Sequence, residues 1–275
     1  MGQPVAWSDP TVRSLMTQQL AQGAATELKH LPLYLRETLL FPYLAGVGLI
    51  AETRAQNSWD RVDQMFRKPP RSTEQVLHPA KYFAGEAPQV VPDPTAPTAS
   101  EWRPVFHNVA GELGWAIFLE QHGVTRDRAR TAAEGWGGDR FAVYAPAKGA
   151  TSDRAAGAPV NDRAAGAPAR GPPPRGRDAS VSDDDLLLVS LSSWDTEGEA
   201  GEAYEALSDA LTKVGDVTSC KNSETRVRCS QTGGKETRLE RKDDRIVLII
   251  GAPRAQVGTL VQKSWAQWKL APAAH

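Results

Sequence analysis

The chain has little cysteine, no surplus of charge of either sign and no apolar run of membrane-spanning length. Its 275 residues include 32 Lys and Arg against 33 Asp and Glu. Nucleic acids and anionic membranes bind surfaces with an excess of basic charge, so we expect no nucleic-acid partner. The longest apolar run, Leu39 to Ile50, carries Pro42, and a spanning helix needs about 20 residues. We therefore expect no membrane span and interpret this run as a buried core helix.

The two cysteines lie nine positions apart, at Cys220 and Cys229. Strand-type runs flank the turn-forming residues 221–224, so a hairpin would bring the two sulfurs together. An even count and this geometry favour a disulfide; a reduced pair is the alternative. A disulfide would place the chain in the periplasm, the envelope or the exterior, whereas a reduced pair would leave the cytoplasm open. The start MGQPVAWSDPTVR shows no secretory signal.

The hydrophobic pattern changes along the chain from helical to strand-like. Residues 9–135 follow a helical period, including a helix from Leu33 to Arg54 and an apolar segment from Pro104 to His122. After Gly138 we predict strands at 139–145, 186–194, 217–220, 225–231, 235–241 and 244–251, and a closing helix at 254–269. This pattern predicts an α+β protein: an all-helical domain at 1–138, then an α+β domain at 139–275 with a small antiparallel sheet and helices on one face.

A direct repeat interrupts the second domain. Asp153–Pro159 and Asp162–Pro168 both read DRAAGAP, and ARGPPPRGRD follows. Such an Ala-, Gly- and Pro-rich sequence cannot bury enough apolar surface to offset the entropy of ordering. We predict a disordered insertion at 147–182 between two paired strands.

The familiar catalytic and cofactor motifs are absent from the sequence. Five histidines occur, but no HExxH pair that would bind zinc beside a general base. Glu27 and His30 form a single E-x-x-H pair, whereas carboxylate-bridged dimetal bundles use two. No G-x-S-x-G elbow, P-loop or G-x-G-x-x-G fingerprint is found. We therefore predict no catalytic residue, no metal ligand and no cofactor of this chain's own.

One dense stretch, RSTEQVLHPAKY at 71–82, has the form of a functional motif. Ser72 and Gln75 fit a capping box at a helix start, and Pro79 ends the helix one turn later. The capped turn would hold His78 and Tyr82 in fixed directions, so we take them, with Glu74, as candidate binding or substrate-proximal residues. The alternatives are a structural His78 bonded to the backbone and a locally paired Glu74.

The same stretch carries a family resemblance. LRETLLFPYLAGVGLI, the block from Trp59 to Tyr82, the AEGWGGDR segment at 133–140 and Ser193-Trp194-Asp195-Thr196 resemble the downstream portion of bacterial gluzincin-like zinc metallopeptidases. The resemblance spans roughly residues 33–270, and STEQ-x-LHP-x-KY is its specific part. It implies that an upstream HExxH helix supplies two zinc-binding histidines and the catalytic Glu, and that a later helix supplies a third ligand.

This chain lacks the residues that would bind the metal in that family. Without zinc ligands no water can be activated, so the family's activity does not carry over. We expect a non-catalytic, peptidase-derived binding or structural subunit of an envelope or extracellular assembly, covered by a protein partner or by self-association. The alternative is the C-terminal portion of a zinc metallopeptidase, which would use zinc only if a partner segment supplied the HExxH ligands.

Overall fold

A computed structural model describes residues 27–56, 58–94, 101–147 and 185–268, together with positions 11, 15, 18, 19 and 23. The chain divides into two compact units, Met1–Ala87 and Pro88–His275. The division falls some 50 residues before the boundary expected at 138, because the strand and two helices that follow Pro88 belong with the sheet. The predicted insertion at 147–182 lies outside the described residues apart from Ala147, as do most of residues 9–26, which the helical period includes.

The first unit is helical. Its described helices are α1 (Leu33–Gln56), α2 (Trp59–Arg67), α3 (Thr73–Leu77) and α4 (Pro79–Ala84). The helix expected from Leu33 to Arg54 is therefore confirmed, and α1 runs through Pro42 without interruption. The expectation that its apolar run is a core helix is wrong, since Leu49 and Thr53 are the only buried residues among those of α1 whose burial the structure describes.

The second unit is an antiparallel sheet with helices, so the α+β class is confirmed. Its elements are β1 (Trp102–Asn108), α5 (Gly111–Gln121), α6 (Arg126–Glu134), β2 (Trp136–Pro146), β3 (Leu187–Trp194), α7 (Glu197–Leu211), β4 (Val217–Asn222), β5 (Arg226–Gln231), β6 (Lys235–Lys242), β7 (Arg245–Pro253) and α8 (Arg254–Trp268). The seven strands are ordered β1-β2-β3-β7-β6-β5-β4. The predicted strands and closing helix lie close to these bounds, and β2 pairs with β3 as expected.

The start of the segment read as helical from Pro104 is instead strand β1. It pairs antiparallel with β2, and the register shifts between Pro104 and Phe106. Proline cannot donate to a strand ladder, and β1 lies at the edge of the sheet, where this costs least. The helix in this region begins only at Gly111. A local apolar pattern of this kind does not distinguish the two structures, and pairing with β2 decides between them.

Both faces of the sheet are covered, whereas the sequence predicted helices on one face. Ile246 and Leu248 of β7 lie in the core beneath α5, α6 and α7, while Val247 and Ile249 of the same strand lie in the core beneath α8. A strand buried on both sides reads as a continuous apolar run rather than an alternation. This burial explains the sequence IVLIIG in β7.

The disulfide is present and joins the last strand to the sheet. Cys220 of β4 lies directly opposite Cys229 of β5, and the two are bonded. Cys229 is fully buried and Cys220 packs against the core under α7. Since β4 is an edge strand with exposed polar positions, the bond and this packing hold it in place.

We expect Cys220→Ala with Cys229→Ala to lower the free energy of unfolding by roughly 2–3 kcal/mol, because the cross-link closes a short loop in the unfolded chain. Urea denaturation measures the change. A reductant should weaken the wild type by a similar amount and leave the double variant unchanged. Equal stability of the wild type with and without reductant would contradict the role given to the bond.

Tyr144 of β2 supplies a pH-dependent contribution to stability. Its hydroxyl donates to the carbonyl of Pro94, and burial, aided by the charge of Asp93, raises the pKa of Tyr144 to about 12. An acid whose folded pKa is raised contributes stability that is complete below its unfolded pKa near 10 and is lost as the pH rises through 12.

Tyr144→Phe should therefore cost about 1 kcal/mol at neutral pH, the usual net value of one hydrogen bond. Between pH 10 and 12 the variant should lose less stability than the wild type, since it has no phenol to ionise. Urea denaturation across this range measures both quantities, and parallel curves for the two proteins would refute the assignment.

Candidate functional site

The stretch RSTEQVLHPAKY forms two short helices, α3 and α4, that meet at His78. The predicted cap is confirmed: Ser72 Oγ accepts the Gln75 backbone N–H at 3.1 Å. Gln75 Oε1 accepts the backbone N–H of Arg71 at 2.6 Å, and its amide nitrogen donates to the Glu86 carbonyl. The buried Gln75 side chain thus ties the start of the stretch to the residues that follow it.

The candidate residues of this stretch make contacts within the first unit. Glu74 is 2% exposed and lies 2.6 Å from Lys81 Nζ. The Tyr82 hydroxyl donates to the Lys68 carbonyl at 2.7 Å. Burial raises the pKa of Tyr82, and the charge of Arg61 opposes the rise. These bonds hold α3 and α4 in position, and a binding role for the group stays a prediction.

His78 occupies the junction itself. It is half-buried, its backbone N–H donates to the Glu74 carbonyl at 2.7 Å, and its own carbonyl accepts from Lys81 at 2.9 Å. The residue therefore both ends α3 and begins α4. Its backbone fixes the angle between these helices whatever the imidazole does.

The described histidines lie on separate elements. His107 lies on β1, and His122 follows α5, where its Nδ1–H donates to the Phe118 carbonyl at 2.8 Å. A metal site needs three or more His, Cys, Asp or Glu side chains close together. Among the described residues, neither unit by itself contains such a group. Glu27 and His30 are both exposed.

Asp139 is a buried carboxylate that anchors the start of α5 to β2, and the sequence did not predict this role. Its oxygens accept the backbone N–H groups of Ala110 and Gly111, each at 2.9 Å, and the Trp136 indole N–H at 2.8 Å. Burial raises the pKa of Asp139, and these donors together with the charge of Arg140 oppose the rise. The carboxylate occupies the start of α5, where a bound anion would otherwise lie. The signal was the acidic residue directly after the two glycines.

Gly137 and Gly138 leave room for the chain segment at Gln89, which crosses over them. A Cβ on Gly138 would lie 2.6 Å from the Gln89 carbonyl oxygen, so a side chain cannot fit there. The Gln89 backbone N–H donates to the Gly137 carbonyl at 2.8 Å, and the Ser193 hydroxyl donates to the Gln89 side-chain oxygen at 2.7 Å. The glycine pair therefore serves packing.

A polar groove of about 620 Å³ lies between α7 and the β4–β5 turn. The Tyr204 hydroxyl donates to the Ser223 carbonyl at 2.8 Å and so joins the helix to the turn. Arg128 at the rim is paired with Asp209 at 2.5 Å. The groove is open and polar, in contrast to the enclosed apolar pockets that bind small organic ligands.

A stripe of α1 leaves large apolar side chains uncovered. We define the α1 stripe as Leu35, Leu39, Pro42, Gly46, Leu49 and Thr53, which recur at alternating steps of four and three residues and therefore share one face of the helix. Leu49 and Thr53 are buried, and the Thr53 hydroxyl lies 3.5 Å from the sulfur of Met65 on α2. Leu35 and Leu39 are 45% and 52% exposed. The stripe is thus covered at its end and open at its beginning.

Two features shape the open half of the stripe. Tyr34 and Tyr43, 56% and 70% exposed, flank it. A Cβ on Gly46 would meet no atom within 4 Å, so a side chain from elsewhere could enter there. Exposed apolar surface of this extent, on a helix of 24 residues, is typical of a contact with another molecule.

Among the described residues, the segment Leu33–Ala55 of α1 is long and apolar enough to cross a membrane, and no other helix is. Its uncharged part, Thr38–Ala51, is only about 21 Å long at 1.5 Å per residue, against about 30 Å of hydrocarbon. Its final turns also pack against α2, a helix with four charged residues among nine. Both properties favour contact with protein over a span.

Comparison with known proteins gives little. No protein-family model and no curated protein matches the chain. Among solved structures, the chain is similar to the extracellular domain of PknH from Mycobacterium tuberculosis, at 8% identity over 68% of this chain and 100% of that one, with a TM-score of 0.35. A likeness this distant carries no statement on function.

Proposed function

We propose that this chain is a non-catalytic binding subunit of an extracytoplasmic assembly, and that it associates with a second copy of itself through the α1 stripe. The observation that carries the proposal is the exposure of Leu35 and Leu39 on the helical face where Leu49 and Thr53 are buried and where Thr53 contacts Met65 of α2. A stripe that is already a packing surface at one end is suited to packing along its whole length.

The disulfide supports the location. Bonded cysteines persist in the periplasm, the envelope and the exterior, whereas the cytoplasm keeps thiols reduced. The bond between Cys220 and Cys229 joins two paired strands of one sheet and is part of its packing. In an oxidising compartment the disulfide would stay formed and would keep the edge strand β4 attached to the sheet.

An antiparallel pair of α1 helices fits the sizes of the side chains. If a two-fold axis crosses between Pro42 and Tyr43, Leu39 of one copy lies opposite Gly46 of the other, and by symmetry the reverse. A large side chain then enters the open space beside a residue that has none. Leu35 would lie opposite Ile50 in the same arrangement. Close approach at a glycine is a common feature of helix pairs.

We expect Leu39→Glu to weaken self-association by roughly 100-fold. Each copy would lose about 1.5 kcal/mol or more of the free energy gained by burying the leucine. Because the dimer contains two copies of the residue, the loss occurs twice. Analytical ultracentrifugation across a concentration series measures the dissociation constant. Leu77→Glu is the matched control, since Leu77 is also exposed, at 40%, but lies on α3. A wild type that stays monomeric at about 100 µM, or equal weakening by both variants, would overturn the proposal.

The peptidase-derived origin of the scaffold is part of the same proposal. Its support is the resemblance of the STEQ-x-LHP-x-KY block, in which His78, Tyr82 and Glu74 would face a ligand or substrate. The alternative, the C-terminal portion of a zinc metallopeptidase, requires an HExxH segment from another chain, and no feature of the described residues favours it.

Metal analysis of the purified chain distinguishes these two origins. We expect less than stoichiometric zinc after dialysis, because the described histidines lie on separate elements and tight sites need three or four converging ligands. His78→Ala should leave the bound zinc unchanged, with His122→Ala as the matched control. One zinc per chain that depends on two or more histidines would contradict the non-catalytic proposal.

A further inference from the structure

A group of arginines covers the α8 face of the sheet at β5 and β6. Glu236, Arg238 and Glu240 alternate along β6, so their side chains share this face. On the neighbouring strand Arg226 lies opposite Glu240, and Arg228 lies opposite Arg238. We call these five residues together with Arg254, at the start of α8, the arginine surface.

The two glutamates lie at the base of this surface and hold the arginines. Glu236 is fully buried and accepts from Arg228 Nε at 2.7 Å and from Arg238 Nη2 at 2.6 Å. Glu240, 5% exposed, accepts from Arg226 Nε at 2.8 Å and from Arg238 Nη1 at 3.2 Å. The Trp265 indole N–H donates to its second oxygen at 3.2 Å. Each carboxylate is thus satisfied by at least two strong donors.

The outer arginines retain unused donors. Arg226 and Arg228 are each bonded through Nε, and their side chains are 60% and 50% exposed. Among the residues that the structure describes, their terminal Nη groups have no protein acceptor. Arg254 is also exposed; its Nη2 donates to the Ser230 hydroxyl at 3.2 Å, and its Nε lies 4.0 Å from Glu236. The ends of three guanidinium groups therefore face solvent.

The charges of the surface do not cancel. Four arginines surround two glutamates, which leaves two positive charges. A network that served only to satisfy the buried carboxylates would need two arginines, one for each. The surplus is held on the outer side, where it can meet an anion. The near-zero charge of the whole chain conceals this local excess.

We infer that the arginine surface binds a ligand that carries phosphate groups. A guanidinium held through Nε presents its two Nη groups as a fixed fork, which matches two oxygens of one phosphate. Arg226 and Arg228 are alternate residues of one strand, so their Cα atoms are about 7 Å apart and both side chains lie on one face, an arrangement that suits two phosphate groups of one molecule. Because the glutamates already fix both side chains, binding costs little ordering entropy. This inference is independent of the association through α1.

Titration calorimetry with soluble polyphosphate, and co-sedimentation with phosphatidylglycerol vesicles, test the inference on the full chain and distinguish a free from a lipid-borne phosphate. We expect saturable binding in at least one assay. Arg226→Gln with Arg228→Gln should weaken it at least about tenfold, since two charge-assisted bonds to each phosphate are lost. Arg226→Lys with Arg228→Lys keeps the charge but loses the fork, and its affinity should fall between the two.

Arg128→Gln is the matched control, because Arg128 is 48% exposed but lies on α6, paired with Asp209. It should bind as the wild type does. Circular dichroism and thermal melts establish that every variant is folded. The inference fails if the wild type binds neither probe, if the double Gln variant binds as tightly as the wild type, or if Arg128→Gln weakens binding equally.

Discussion

Burial of strands β3 and β7 on both faces is the constraint on which the rest of the second unit depends. Val189 and Leu191 of β3, and Val247 and Ile249 of β7, lie under α8, while alternate residues of β7 lie under α7. A sheet covered on both sides must place its polar residues toward its edges. The arginine surface on β5 and β6 and the disulfide between β4 and β5 both lie toward one such edge.

Local signals in the sequence located elements of both units. The cap at Ser72 and the strand-type runs that flank residues 221–224 depend on neighbours a few residues away, and the structure has them. The Cys220–Cys229 bond followed from the same local hairpin. Features that depend on distant pairing were missed. The segment after Pro104 became β1 only because β2 lies beside it, and the second covered face came from α8, which begins more than 100 residues after β2 ends.

Long-range contacts also explain why the sites were harder to predict than the fold. Asp139 is 28 residues from Gly111, whose N–H it accepts, so the acidic residue after the two glycines marks an anchor without indicating its partner. The sequence predicted that the open half of α1 is buried, because its residues are apolar. Whether another segment covers these residues cannot be derived from their composition. In the arginine surface, the chain's balanced charge concealed an excess that appears only when β5 and β6 pair. The role of His78 depends on what its imidazole meets outside the two short helices.

The central claim, pairing of two copies through the α1 stripe, is tested most directly by a cross-link at the proposed axis. Pro42→Cys, introduced with Cys220 and Cys229 left bonded, places one new thiol per chain about half a residue from the two-fold axis, one helical step along the axis from its counterpart. The account predicts a covalent dimer under mild oxidation from Pro42→Cys and none from Leu77→Cys. No dimer from Pro42→Cys, or equal dimer from both variants, would contradict it.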